Sequence, residues 1–144
     1  MLRHTVIKKK INDLINLMLT DGVQPSDLAD NIFFESYVQI RYEKINGEII
    51  GELVFKEKTE DKELETTLRY FYGINKKIIR IEEEISDLKR IIWDRDYEEA
   101  RMINDIVSMM MDCYLPDQIE KFTNTLPEDL RLKLEYAFYK KNVS

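Results

Sequence analysis

The chain has 144 residues, 44% hydrophobic and 35% charged, with a formal net charge of −6. That is long enough to bury a real core as one domain or two small lobes, and too apolar for a disordered chain. One cysteine excludes an intramolecular disulfide, and no apolar run approaches the length of a membrane span, so a cytoplasmic protein with no membrane association is expected. Lys8 to Lys10 also interrupt the stretch where a signal peptide would need its apolar centre.

Residues 5–19 read as an amphipathic helix. Ile7, Ile11, Leu14 and Met18 recur at helical spacing, Ile15 widens the stripe, and Lys8, Lys9, Lys10, Asn12 and Asn16 cover the other face. Thr20-Asp21-Gly22 ends it, with Gly22 suited to a left-handed cap. Pro25-Ser26 opens a short second helix running to about Ile32, with Ser26 as its N-cap.

Residues 37–58 predict a two-stranded antiparallel hairpin. Asn46-Gly47 supplies the two positive φ angles of a type I′ turn, which pairs Ile45 with Glu48. The register then sets Val38 against Phe55, Ile40 against Leu53 and Tyr42 against Gly51 on one face, with Arg41 against Glu52 and Gln39 against Val54 on the other.

Residues 64–92 carry a seven-residue repeat. Leu64, Phe71, Ile78, Ile85 and Ile92 occupy one position, and Thr67, Ile74, Ile81 and Leu88 the position three residues later. This predicts a coiled-coil-like helix, the spine of the molecule. In a parallel dimer Lys77 would meet Glu82 and Glu84 would meet Lys89. The seam joins two chains or packs inside one bundle. Its length of roughly 45 Å, at 1.5 Å per residue, favours self-association through Leu64, Phe71, Ile74, Ile78, Ile81, Ile85, Leu88 and Ile92.

Asp94-Arg95-Asp96 is a polar interruption, and Asp96 with Glu99 forms a capping-box pattern for a helix from Tyr97. Ala100, Ile103, Val107, Met110 and Tyr114 continue that helix, with Ile106, Met109 and Met111 making it apolar around most of its girth. The chain either reverses at 94–96 or runs on as one long helix. Pro116 begins a further helix with Ile119 and Phe122, and Thr125 to Glu128 caps a last one carrying Leu130, Leu134, Ala137 and Phe138 inward.

Chemistry is scarce in this chain. His4 and Cys113 are the only residues of their kinds and lie far apart, which is a poor start for a metal site. Glu82-Glu83-Glu84 with Asp87, facing Asp105 and Asp112, could form a magnesium site, but a solvated helix face explains them better. Met109-Met110-Met111 reads as core or as an adaptable contact surface, and no glycine-rich phosphate loop is present.

The segment Gly22-Val23-Gln24-Pro25-Ser26-Asp27-Leu28-Ala29-Asp30 resembles the turn and second helix of a helix-turn-helix. Only Phe33 to Ser36 then precede the hairpin, which leaves no room for the recognition helix of a winged domain. Lys8, Lys9, Lys10 and Lys44 would be the nucleic-acid contacts of such a protein. Leu126-Pro127-Glu128-Asp129-Leu130-Arg131 resembles the opening helix of region-four-like modules of sigma factors and related phage regulators, over fewer than twenty residues, and no function is carried across from it.

The resulting expectation is an α+β, predominantly α-helical protein: a helical bundle with a long coiled-coil-like helix and one two-stranded antiparallel hairpin. Residues 1–60 form an N-terminal helix and hairpin lobe and 61–144 a helical lobe, in one cooperative unit. The expected function is a non-enzymatic protein–protein interaction module, a small cytoplasmic regulator or adaptor of bacterial or phage type. It would be homo-oligomeric, with a dimer favoured, would bind a protein partner and would need no cofactor. The alternative is a DNA-binding transcriptional regulator using the N-terminal region.

Overall fold

The computed structural model describes residues 2–143. The elements run α1 (Leu2–Leu19), α2 (Pro25–Ala29), a 3₁₀ turn (Asp30–Phe33), β1 (Tyr37–Ile45), β2 (Glu48–Lys58), β3 (Glu63–Tyr72), β4 (Ile78–Ile85), β5 (Leu88–Asp94), α3 (Arg95–Cys113), α4 (Pro116–Thr123) and α5 (Glu128–Val143). The five strands form one antiparallel meander in the order β1-β2-β3-β4-β5. The chain divides into two compact units, Thr20–Asp96 holding the sheet, and Met1–Leu19 with Tyr97–Ser144 holding the long helices. In sequence, the sheet unit is inserted between α1 and the remaining helices. The boundary expected at residue 60 falls in the connection between β2 and β3.

The predominantly helical bundle with a single hairpin is therefore corrected to a five-stranded sheet with five helices. No coiled-coil helix spans 64–92. Leu64 and Phe71 lie on β3, Ile74 in the turn after it, Ile78, Ile81 and Ile85 on β4, and Leu88 and Ile92 on β5. The reason the repeat imitated a helix is visible in the register. Tyr70 pairs with Ile81 and Tyr72 with Ile78, so Ile78 and Ile81 share a face although they stand three positions apart; an irregularity opposite Phe71 and Tyr72 absorbs the extra residue. Ile85 follows after two regular strand periods. A bulge plus alternation thus produces the three–four spacing of a helix. The same happens on β5, where Ile91 pairs with Glu82 and Trp93 with Ile81, which leaves Ile92 as the extra residue.

The first hairpin follows the expected register from Ile45–Glu48 through Arg41–Glu52 and Ile40–Leu53 to Gln39–Val54. Asn46 and Gly47 have φ of 51° and 85°, as a type I′ turn requires. The pairing expected between Val38 and Phe55 is replaced. A shift between Tyr37 and Gln39 brings Tyr37 opposite Phe55, with ring centroids 5.1 Å apart, and leaves Val38 exposed. Stacking two aromatic rings outweighs one valine contact.

Each unit has its own core. In the sheet unit Leu28 of α2 packs on Leu53, Tyr72 and Ile78, with Ile40, Ile49, Leu68, Tyr70, Ile81 and Trp93 around them. The Tyr72 hydroxyl donates to the Val23 carbonyl at 2.6 Å, and burial pushes its pKa well up. The ends of this unit meet through Arg95, whose buried guanidinium donates to the carbonyls of Ile78 at 2.6 Å and Thr20 at 3.0 Å. In the helical unit Ile7, Ile11 and Leu14 of α1 meet Ile103, Ile106, Val107 and Met110 of α3 and Leu130, Leu134 and Ala137 of α5. These are the stripes that helical spacing selects. Among the described residues no helix is long and apolar enough to cross a membrane.

Candidate functional site

The last helix has two apolar faces. Leu130, Leu134 and Ala137 turn into the core. On the opposite side Leu132, Tyr136, Tyr139 and Val143 follow one another at spacings of four, three and four, and they are 51%, 61%, 64% and 65% exposed. At 3.6 residues per turn this second stripe lies diametrically across the helix from the first. A helix that packs on one side normally presents charge on the other, so a continuous apolar stripe in water calls for an explanation.

Beside the stripe, Lys133 and Lys140 lie along one side and Glu128 and Glu135 along the other, with Asp129 in line with the stripe just before Leu132. Lys140 Nζ sits 5.0 Å above the ring of Tyr136, Lys133 pairs with Glu99 of α3 at 3.2 Å, and Glu135 approaches Arg131 at 3.8 Å. On the basic side the stripe opens into a groove of about 630 Å³ between α3 and α5. Ala100, Ile103 and Asn104 form its floor, and Tyr136, Lys140 and Val143 its wall. The groove is apolar and open, shaped to take side chains from a surface laid across it and not to enclose a small molecule.

The sheet unit presents a different surface. Arg41, Glu52, Arg69, Glu84 and Lys89, one from each strand, alternate in sign across one face. Arg41 meets Glu52 at 3.0 Å, Glu52 meets Arg69 at 3.0 Å, Arg69 meets Glu84 at 2.8 Å, and Glu84 comes within 3.9 Å of Lys89. The hydrogen bond from Arg69 holds the Glu84 carboxyl below its usual range. Sequence reasoning found the first rung, Arg41 with Glu52, and paired Glu84 with Lys89 only as a contact between two helices of a dimer, whereas the two meet across β4 and β5 of one sheet. The others required knowing that 63–94 is sheet.

The remaining candidate residues are dispersed. Glu82, Glu83 and Glu84 alternate between the faces of β4 and meet Arg80, Arg90 and Arg69. Asp105 pairs with Lys10 at 3.3 Å. The His4 ring bonds to the Tyr114 hydroxyl, and Cys113 is a half-buried free thiol with Arg3 Nη1 3.9 Å from its sulfur. Among the described residues no three His, Cys, Asp or Glu side chains converge where a metal could be held. Of the lysines named as nucleic-acid contacts, Lys9 is bound to Asp13 at 3.1 Å and Lys10 to Asp105, while Lys8 and Lys44 are exposed. Lys8 to Lys10 belong to the helical unit and Lys44 to the sheet unit. The α5 stripe escaped sequence reasoning because Leu130, Leu134 and Ala137 already accounted for one apolar face. The unused signal was the second set of apolar residues at the same spacing, half a turn away. Comparison of the chain with family models, with characterised proteins and with solved structures finds no match.

Proposed function

We propose that this protein is a non-enzymatic interaction module, a small cytoplasmic regulator or adaptor, that pairs with a second copy of itself through the outer face of α5. The observation that carries this reading is the second apolar stripe, Leu132, Tyr136, Tyr139 and Val143, left in water on a helix whose other face is fully packed. The sorting of the flanking charges selects the partner. Two α5 helices laid side by side and parallel bring the acidic flank of each against the basic flank of the other, Glu128 towards Lys133 and Glu135 towards Lys140. An antiparallel pair would instead bring Lys133 near Lys140.

The helix is 16 residues long, so the contact is small and the dimer weak, on the order of 10 µM. Each exposed ion pair adds only ~0.3–0.5 kcal/mol; burial of the two tyrosines, Leu132 and Val143 supplies most of the stabilisation. Light scattering across a concentration series tests this. The mass should rise from 17.3 kDa towards twice that value, and Leu132→Glu with Tyr136→Glu should hold it at the monomer without lowering the melting temperature. A concentration-independent monomer, or a dimer indifferent to both substitutions, contradicts the reading.

A further inference from the structure

β5 is an edge strand, hydrogen-bonded on one side only. It is also unusually apolar for an edge. Leu88 is 72% and Ile91 58% exposed, and between them stand Lys89 and Arg90, whose side chains are 66% and 71% exposed. Edge strands with bare apolar residues invite another strand, and proteins that must avoid this cover or charge the edge. Between Leu88 and Ile91 the charge is of one sign only, and the strand's single acidic residue, Asp94, lies at its far end opposite Arg80.

We infer that β5 is a docking edge for an extended acidic segment of a partner protein, which adds to the sheet as a sixth strand. The charge pattern of the sheet specifies what fits. On one face the row runs Arg41, Glu52, Arg69, Glu84, Lys89, plus and minus in turn, and the next strand in that series is negative. On the other face Arg90 pairs with Glu83 at 2.7 Å, again leaving a cation at the outside. A carboxylate opposite Lys89 and another opposite Arg90, at neighbouring positions of the incoming strand, would continue both rows, with apolar side chains beside Leu88 and Ile91. Backbone hydrogen bonds would supply affinity, and the two cations would supply the selection.

The same pattern argues against a second copy in this place. Two β5 strands paired antiparallel about Lys89 and Arg90 would oppose cation to cation. Joining β5 of one copy to β1 of another so as to extend the charged row would put Lys89 beside Arg41, which is itself 57% exposed. Both ends of the row are positive, so edge-to-edge growth is disfavoured while an acidic strand is accepted.

The test uses the full chain and its one tryptophan, Trp93, which lies on β5 and reports on the edge directly. The probe is a capped peptide of about ten residues made of Val and Thr with two adjacent central glutamates; its twin carries lysines instead. The acidic peptide should change Trp93 fluorescence saturably and shift the amide resonances of residues 88–93. Lys89→Gln with Arg90→Gln should weaken it at least tenfold, and the lysine twin should not bind. Ile91→Lys, which puts a further cation on the edge without removing Lys89 or Arg90, should reduce strand addition through the lost apolar contact while leaving the melting temperature unchanged. Tyr136→Glu on α5 should leave peptide binding as it is. Shifts confined to other strands, equal binding of both peptides, or no shift at residues 88–93 at millimolar peptide would each overturn the proposal.

Discussion

Arg95 shows how much one buried cation can hold. Its guanidinium reaches the carbonyls of Ile78 and Thr20, so the two ends of the sheet unit are tied at a single side chain that also lies against Trp93. Arg95→Met keeps the aliphatic stem but leaves both carbonyls without this donor. Hydrogen bonds from a charged group contribute ~1.5–3 kcal/mol, so urea unfolding should show a loss of ~2–3 kcal/mol. A loss below ~0.5 kcal/mol would mean that other groups satisfy those carbonyls. A second residue-scale test concerns the turn between β4 and β5. Ser86 and Asp87 both have positive φ, 50° and 67°, in the two positions where the first hairpin has Asn46 and Gly47. A left-handed conformation costs an ordinary residue ~1–2 kcal/mol, so Ser86→Asn with Asp87→Gly should stabilise the protein by about 1 kcal/mol. An unchanged or lower denaturation midpoint would contradict this. The pair of turns also explains what could be read in advance. Asn-Gly announces its geometry in its residue types, and the hairpin of β1 and β2 was legible down to its register. Ser-Asp adopts the same geometry under tertiary constraint and announces nothing, so the hairpin of β4 and β5 went unread.

At the scale of elements, the helices were legible because their buried residues keep one period throughout, Ile7, Ile11 and Leu14 on α1 and Ile103, Val107 and Met110 on α3. The strands β3 to β5 were not, because two bulges broke the period of two into spacings of three. The competing signals were present: Thr66-Thr67 and the aromatic run Tyr70-Phe71-Tyr72 suit strands, and Gly73 with Asn75 suits a turn. The ion row that these strands build makes a pH prediction. Glu84 titrates below its ordinary value of 4.5, because Arg69 donates to its carboxylate and Lys89 stands near. A lowered carboxyl contributes stability that is present above the ordinary value and is lost as pH falls through the lowered one. The unfolding midpoint should therefore drop as pH falls below about 4.5, and Glu84→Gln should flatten that limb. Parallel acid limbs in the two proteins would remove Glu84 from the account.

At the scale of the whole chain, the two units carry two kinds of exposed surface. The helical unit keeps a bare apolar stripe on α5, and the sheet unit keeps a cationic edge on β5. The stripe was missed in the sequence for a physical reason: a helix with apolar residues on two opposite sides has no single amphipathic direction for a periodicity argument to find. The central claim is that α5 meets α5 in parallel, and a symmetric parallel contact brings each stripe residue against its own copy. The most direct measurement is therefore cysteine cross-linking in a Cys113→Ser background. Under mild oxidation Tyr139→Cys should form a disulfide-linked dimer, while Asp112→Cys on α3, also exposed to solvent, should not. A monomeric Tyr139→Cys, or equal cross-linking of both variants, would contradict the claim.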